Sequence, residues 1–304
     1  MKLLRKAQTV LRTPKIILIK TLYTLSPLIT DKLYLKMLFR LKLGHRLDLD
    51  NPQTYNEKLQ WLKLYYRNPL YPILVDKFEY KKYVANVIGE EYVVKNYGVW
   101  DSFEEIDFET LPNKFVLKTT HDQGGVVICR NKNAFDFKAA KTKLNKHLER
   151  NLYYLLREWP YKDLKPRIIA EELLVDESGY ELKDYKFYCF NGEPRYMYIS
   201  HSDESAEHYL DFFDMNFNKL NISREGFSQS KILFEKPKKW DLMIELSKQL
   251  SKDQPHVRID FYSIDGKLYA GEYTLFQGAG FMPFYPEEWD YKFGECLVLP
   301  TRNN

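Results

Sequence analysis

The stretch that decides the fold runs from Val257 to Phe281 and reads VRIDFYSIDGKLYAGEYTLFQGAGF. Two runs rich in β-branched and aromatic residues flank an Asp-Gly dipeptide, which predicts a β-hairpin. Arg258, Asp260 and Glu272 lie on these strands, where apolar side chains would be easier to bury. The charges indicate either a surface ion-pair cluster or a face of the hairpin that carries chemistry.

The length of the turn bears on this choice, because successive side chains of a strand point to opposite faces. A three-residue loop, Ile264 to Gly266, would pair Arg258 with Glu272 and place Asp260 diagonally on the same face. The two carboxylates would then have Cβ atoms ~7–8 Å apart, close enough to share a hard cation. A two-residue loop would put them on opposite faces and remove the argument. The core face is predicted to carry Ile259, Phe261, Tyr269 and Tyr273.

Two stretches before the hairpin place polar residues beside apolar strands. In KFVLKTTHDQGG, Lys118 ends a strand before a loop whose Gly124 and Gly125 would let backbone amides approach an anion. A glycine pair is also typical of a simple turn. RIIAEELLV holds Glu171 and Glu172 within an apolar strand, and recognition of adenine and ribose is one reason to hold acids there.

The stretch LKDYKFYCFNGEP adds Lys183, Asp184 and Lys186 beside an aromatic strand. Lys186 falls on the face opposite Phe187, because the two are neighbours on a strand. The charges indicate either a solvated strand face or a second side of the site.

The rest of the chain predicts a mixed α+β order with antiparallel strands late in the sequence. Thr54 and Glu57 form a capping box that starts a helix from Tyr55 to Tyr66. A second helix is predicted from Asp76 to Val87, and one long helix within residues 134–159. A further helix is expected from about Trp240 to Leu250.

Composition excludes several classes of protein. The 304 residues suffice for two or three subdomains. The three cysteines show no CxxC spacing, so neither a disulfide framework nor a structural zinc site has support, and a reducing compartment is expected. No histidine spacing typical of a metal site occurs among the six.

Positive charge is concentrated at the N-terminus. Residues 1–46 hold eleven Lys or Arg and one acid, Asp31, mixed with Leu, Ile and Tyr at roughly helical intervals. The longest uncharged run, 21–30, is far shorter than the ~20 residues of a membrane span. Such a segment is typical of a basic amphipathic surface on anionic lipid, or of a helix pair packed on the body. We expect a cytoplasmic protein, peripheral on the inner face of the plasma membrane if this surface binds lipid, and no nucleic-acid partner.

The order of these pieces resembles the ATP-grasp superfamily over roughly residues 111–281. The motifs TYNEKLQWLKLYYRNPLY, DYKFYCFNGEP and GEYTLFQGAGFMPFYPEEWD are similar to its TupA-like branch, named for teichuronopeptide biosynthesis. The resemblance implies two α+β subdomains that clasp ATP, preceded by a helical N-terminal region. The expected divisions are a basic amphipathic helical segment at 1–50, a helical or α+β region at 51–110, and the ATP-grasp catalytic region at 111–304.

The resemblance also assigns roles to residues. It implies that Lys118 and Lys186 contact ATP phosphates, that loop 120–126 with Gly124 and Gly125 covers them, and that Arg258 stabilises charge at the reacting carboxylate. The other implied roles are the adenine hinge at Glu171 or Glu172, a ribose ligand at Asp176, Mg²⁺ ligands at Asp260 and Glu272, and acceptor contacts at Gln277 and Gly278. Where the common pattern has Asn, this chain has Thr274, whose hydroxyl is a candidate third Mg²⁺ ligand.

The activity implied is an ATP- and Mg²⁺-dependent carboxylate–amine ligase that proceeds through an acyl phosphate. The expected partners are an amino acid and the uronic-acid carboxyl of a surface polysaccharide or lipid-linked glycan. Three alternatives stay open: a glycosyltransferase of a surface-polysaccharide pathway, a kinase of a sugar or lipid hydroxyl, and a non-enzymatic binding module. The acids Asp211 and Asp214 in DFFDMN do not have the spacing of a DxD motif for a nucleotide sugar.

Overall fold

The computed structural model describes residues 14–175, 182–202 and 207–302. Asp176 and the first thirteen residues lie outside the described residues. The helices are α1 (Pro14–Thr24), α2 (Asp31–Leu43), α3 (Tyr55–Tyr65), α4 (Tyr71–Val75), α5 (Glu79–Val87), α6 (Phe137–Leu148), α7 (Leu152–Leu156), α8 (Trp240–Ser251) and α9 (Glu288–Cys296).

The strands form two main antiparallel sheets, with orders β1-β4-β2-β3 and β11-β10-β5-β6-β7-β8. A two-stranded sheet pairs β12 with β9. The strands are β1 (Asn96–Trp100), β2 (Phe115–Thr119), β3 (Val126–Cys129), β4 (Ile168–Glu172), β5 (Asp184–Phe190), β6 (Glu193–Ser202), β7 (His208–Asp214), β8 (Lys219–Leu220), β9 (Ser223–Arg224), β10 (His256–Ile264), β11 (Lys267–Thr274) and β12 (Phe284–Tyr285).

Each main sheet has its own hydrophobic core. The four-stranded sheet packs with α6 around a small cluster that includes Phe115, Leu117 and Leu144. The six-stranded sheet forms a larger, aromatic core together with α2, α3 and α8. The mixed architecture confirms the predicted α+β class, with two β-sheet units. The strands that carry the predicted site residues are β2 and β4 of the small sheet and β5, β10 and β11 of the large one.

Local sequence signals explain where the helices begin. The predicted capping box of α3 is present: Glu57 N donates to Thr54 Oγ1 over 3.2 Å, and Thr54 N donates to Glu57 Oε2 over 3.1 Å. The single long helix predicted within 134–159 is wrong. The chain leaves α6 after Leu148 and starts α7 at Leu152, because the Asn151 side chain accepts the Tyr153 amide over 3.0 Å and caps a new helix.

Within the described ranges, no helix is both long enough and apolar enough to cross a membrane.

Candidate active site

The hairpin of β10 and β11 turns through two residues, so the predicted three-residue loop is wrong. Ile264 pairs with Lys267. Between them the Asp265-Gly266 dipeptide has φ angles of 48° and 74°, as a type I′ turn requires. Continued without interruption, this register would place the two site carboxylates of the hairpin on opposite faces of the sheet.

A β-bulge in β11 brings the carboxylates back to one face. Phe261 pairs with Ala270, whereas Ile259, two residues earlier, pairs with Tyr273, three residues later. The strand β11 therefore holds one extra residue between these pairs. The extra residue moves Glu272 onto the face that carries the acid of β10.

Glycine at position 271 permits the close approach at the bulge. A Cβ built on Gly271 would lie 2.7 Å from the Tyr262 ring, so a larger residue would force that ring aside. The predicted core position of Tyr269 is wrong, because Tyr269 pairs with Tyr262 and shares its face. Leu268 and Ala270 take the core positions instead, with 4% and 7% of their surface exposed.

The centre of the site is a buried network of alternating charges on β5 and β10. Arg258 donates to both Asp260 oxygens, each over 2.6 Å, through Nε and Nη2. Lys186 Nζ lies 2.6 Å from Asp260 Oδ2 and 2.9 Å from Asp184 Oδ2. Lys186 and Asp260 are cross-strand partners, which fixes their contact.

Arg258, Lys186 and Asp260 hold one another ionised. Burial raises the pKa of Asp260, but Arg258 and Lys186 outweigh that effect and keep this pKa below its usual value. Burial lowers the pKa of Lys186, yet the neighbouring carboxylates raise it well above normal. Burial raises the pKa of Asp184 despite its contact with Lys186. The arrangement keeps two cations fixed beside a carboxylate out of bulk water.

Glu272, Thr274 and Gln277 surround the exposed side of this network. Thr274, and not Glu272, is the cross-strand partner of Arg258. The Glu272 carboxylate still lies 3.5 Å from Arg258 Nη2, and its side chain is 41% exposed. Gln277 accepts a hydrogen bond from Arg258 Nη1 and donates to the Tyr198 hydroxyl over 3.4 Å.

A second charged cluster lies on the small sheet. Lys118 Nζ on β2 lies 2.6 Å from Glu171 Oε2 on β4. Lys81 on α5 lies 2.9 Å from the other oxygen, Glu171 Oε1, and also donates to Val94 O over 2.7 Å. Burial raises the pKa of Glu171, but the two ammonium groups reverse the effect and bring it to about 2.

Two cavities adjoin this second cluster. They lie between it and the Arg258–Asp260–Lys186 network of the large sheet. The first, of about 390 Å³, is lined by Lys118 and Gly124 on one side and by Glu272 on the other. The second, of about 240 Å³, is lined by Glu171, Glu172 and Asp184 together with apolar side chains. The first cavity alone falls within the ~300–1,000 Å³ usual for ligand sites. Residues of both main sheets therefore face one cleft.

The buried carboxylate of Asp122 fixes the glycine loop between β2 and β3. Asp122, 1% exposed, accepts hydrogen bonds from Thr119 and His147, and Lys77 Nζ donates to its carbonyl over 2.5 Å. Gly124 has a φ of +87°, and a Cβ on Gly125 would overlap Thr119 Oγ1. Both glycines are therefore needed by the loop itself, and Gly124 lines the first cavity.

The donor set on the hairpin suits Mg²⁺. Among the described residues no three His, Cys, Asp or Glu side chains converge on one point. Mg²⁺ at nucleotide sites is typically held by one or two carboxylates together with the phosphates of the substrate. Asp260 and Glu272 supply two carboxylates on one face, and Thr274, two residues after Glu272, adds a hydroxyl to that face.

A comparison with known protein families covers the residues of the candidate site. A family described as TupA-like ATPgrasp matches residues 57–298 of the chain. The chain belongs to the TupA-like ATP-grasp family. The match contains both charged clusters, the glycine loop and the hairpin, and it confirms the resemblance inferred from the motifs. No curated protein matches the chain.

Solved structures similar to this ATP-grasp chain are distant in sequence. D-alanine–D-alanine ligase from Bacillus anthracis, complexed with ATP, is 15% identical with a TM-score of 0.38, and the match covers 67% of this chain and 54% of that one. The ADP complex of PurK, N5-carboxyaminoimidazole ribonucleotide synthetase, is 15% identical with a TM-score of 0.43, covering 79% and 56%. The chain thus spans about half the length of either protein.

Lys81 was not expected from the sequence of this ATP-grasp chain. It lies on α5, far before Lys118 in sequence, and only the fold of the small sheet against α5 brings both ammonium groups to Glu171. A lysine on an otherwise polar helix face carries no signal that separates it from a solvated one. The same holds for Lys77, which reaches the glycine loop.

A third set of residues that sequence reasoning missed fixes the loop of Gln277. Gln60 Nε2 donates to Gly280 O and Lys63 Nζ to Ala279 O, each over 2.7 Å. Both side chains lie on α3 and are almost fully buried. They hold the backbone of residues 278–280 in left-handed conformations, with φ of 55°, 52° and 64°. The helix α3 therefore positions the amide that contacts the Arg258 guanidinium.

The depressed pKa of Glu171 gives a pH-dependent test of the second charged cluster, Lys118, Glu171 and Lys81. A carboxyl with a pKa of about 2 in the folded chain and 4.5 in the unfolded chain stabilises the fold above pH 4.5, and that contribution is lost as the pH falls toward 2. We expect the stability difference between wild type and Glu171→Gln to shrink by roughly 2 kcal/mol between pH 5 and pH 3. Urea unfolding of both proteins measures it, and a difference that stays constant over this range would contradict the ion-pair assignment.

Proposed function

We propose that the protein is an ATP- and Mg²⁺-dependent carboxylate–amine ligase that joins an amino acid to a uronic-acid carboxyl of a cell-surface polysaccharide or its lipid-linked precursor. The observation that carries the proposal is one cleft with Lys118 and Lys81 on one wall and Glu272 of the hairpin on the other. Behind Glu272 lies Arg258, at 3.5 Å, and Arg258 and Lys186 both contact the buried Asp260 carboxylate. Family membership supports the class of reaction.

Each of the two cavities has a distinct part in binding ATP. The second cavity has apolar walls from Val116, Ile128 and Leu174 beside the strand end at Glu172, which suits a purine base. The first cavity has Lys118, Lys81 and the glycine loop around it, which suits polyphosphate. Mg²⁺, held by Asp260, Glu272 and Thr274 with the phosphates, would neutralise charge that develops during phosphoryl transfer.

The chemistry in this scheme needs no nucleophilic side chain. A substrate carboxylate oxygen attacks the γ-phosphorus, the bond to the β-phosphate oxygen breaks, and ADP leaves. The neutral amine nitrogen then attacks the acyl carbon, the bond to phosphate breaks, the nitrogen loses a proton, and an amide and inorganic phosphate result. Arg258 and Lys186 would stabilise the negative charge in both steps, because their guanidinium and ammonium groups are already fixed by Asp260.

ADP release tests the proposal directly. The purified chain is incubated with Mg-ATP, a uronic-acid glycan and each amino acid in turn, and Glu272→Gln serves as the blank. We expect ADP release over many turnovers only when carboxylate and amine are both present, because without the amine the acyl phosphate formed in the first step is not consumed. Mass spectrometry of the product should show loss of one water between glycan and amino acid.

Two results would overturn the proposal. ADP formation with a glycan that has hydroxyls but no carboxylate, together with a phosphorylated product, would identify a kinase. Thermal stabilisation by UDP-sugars but not by Mg-ATP would indicate a glycosyltransferase.

A further inference from the structure

The outward side of the α1–α2 pair carries large apolar side chains in water. Leu28, in the short 3₁₀ turn between the helices, is 84% exposed, and Leu18 and Leu33 are 54% and 53% exposed. We call this surface the N-terminal patch; its apolar members are Ile17, Leu18, Leu25, Leu28, Leu33 and Met37. Single exposed leucines are ordinary, but a contiguous group indicates a contact with something outside the protein.

An apolar groove runs between the two helices of the N-terminal patch. It has a volume of about 600 Å³, and Leu22, Leu25 and Ile29 lie along it. Lys15 and Arg40 stand at its rim. The groove therefore offers apolar surface bordered by positive charge.

The exposed charge on the segment that forms the N-terminal patch is positive, although Glu225 and Glu287 of other elements line a cavity together with Lys15 and Lys42. Within residues 14–46 the chain has seven Lys or Arg, six of them exposed, and a single acid. That acid, Asp31, is turned inward: Arg157 Nε lies 3.1 Å from Oδ1, and the Tyr153 hydroxyl donates to the same oxygen over 2.8 Å. Its charge is balanced on the body side, so it does not neutralise the exposed lysines.

The inner side of the same helices is already packed. Tyr34, Leu35, Leu38 and Phe39 on α2 are fully buried in the large core. Arg157, itself 3% exposed, donates to Ser26 O over 2.5 Å and to Ile29 O over 3.0 Å and so holds the turn between α1 and α2. The exposed leucines are therefore on the opposite side from the one that the body buries.

We propose that the N-terminal patch docks on the surface of an anionic lipid bilayer. Leucines that enter the acyl boundary and lysines that meet the headgroups are the two contributions such a surface needs. A second copy of this chain would bring two cationic faces together, which repel. Nucleic acid would pair with the lysines but leave the leucines in water. The proposal is independent of the ligase activity, because vesicle binding is measured without ATP.

Vesicle co-sedimentation of the full chain tests the proposal. We expect binding to vesicles of phosphatidylcholine mixed with phosphatidylglycerol, little binding to phosphatidylcholine alone, and a decline as salt rises. Lys32→Glu/Lys36→Glu and, separately, Leu28→Glu should each weaken binding by about tenfold or more. Matched controls are Lys238→Glu/Lys239→Glu, with the same change of net charge, and Leu233→Glu, at a leucine that is 91% exposed; both should bind as wild type.

Three outcomes would overturn the proposal. Equal losses in the patch variants and the controls would show a response to net charge alone. Loss of binding in a chain that begins at Pro14, with Lys32→Glu/Lys36→Glu without effect in the full chain, would assign the contact to the first thirteen residues. Absence of vesicle binding, together with a wild-type dimer that Leu28→Glu converts to a monomer, would show that a second copy covers the patch.

Discussion

Replacing Glu272, the proposed Mg²⁺ ligand, with glutamine is expected to reduce ATP-dependent turnover roughly a thousandfold or more while leaving the fold intact, because loss of a metal ligand costs several kcal/mol in the transition state. The side chain is 41% exposed, and its contact with Arg258 is 3.5 Å long. Such a partly exposed pair contributes about 1 kcal/mol or less to stability. Loss of activity at unchanged stability would therefore report the role of the carboxylate in chemistry.

A matched surface variant separates this effect from a general loss of charge. Glu193 on β6 is 49% exposed and pairs with Lys248 over 2.8 Å, two strands away from β10 in the large sheet. Glu193→Gln should keep wild-type turnover and melting temperature. Turnover is followed as ADP release with both substrates present, and Mg²⁺ dependence is measured at fixed ATP. If Glu272→Gln retains more than about a tenth of the activity, Glu272 does not ligate Mg²⁺ in the reaction.

How much of the site could be predicted differs between its residues. The charged positions of the hairpin were recognised because acids and an arginine on an apolar strand are unusual, and the fold family follows from the motifs around them. The predicted turn of three residues is one residue too long, and the bulge in β11 restores the shared face of Asp260 and Glu272. Gly271 was the available signal, since an isolated glycine in a strand favours a bulge.

The remaining site residues depend on long-range packing that a single sequence does not show. Lys81 meets Glu171 only because α5 lies against the small sheet. Gln60 and Lys63 read as ordinary polar positions of a helix, yet both are buried against the loop of Gln277. Local signals such as the capping box of α3 were predictable, because both of its partners lie within four residues. The predicted ribose ligand Asp176 lies outside the described residues and stays a prediction.

Replacing Asp260 with asparagine is expected to destabilise the fold by roughly 3–5 kcal/mol, because it leaves the buried Arg258 and Lys186 without their shared counter-charge. The carboxylate is fully buried and accepts three short contacts from these two cations. Asp290→Asn is the matched control: Asp290 is 6% exposed, but its partners are the amide groups of Asn56. It should cost about 1 kcal/mol, as measured by urea unfolding.

The double variant Asp260→Asn/Lys186→Met decides whether uncompensated charge is the cause. Removing the ammonium as well leaves one cation instead of two without the Asp260 charge, and Asp184, whose pKa burial already raises, can take up a proton once Lys186 is gone. The double variant should therefore be more stable than the sum of the single effects by roughly 1–3 kcal/mol. Strict additivity, or an Asp260→Asn protein within about 1 kcal/mol of wild type, would contradict the network. Because the same carboxylate would also hold Mg²⁺, its loss combines instability with inactivity, whereas Glu272→Gln gives inactivity alone. The two acids of one strand pair therefore separate what the network does for the fold from what it does for the reaction.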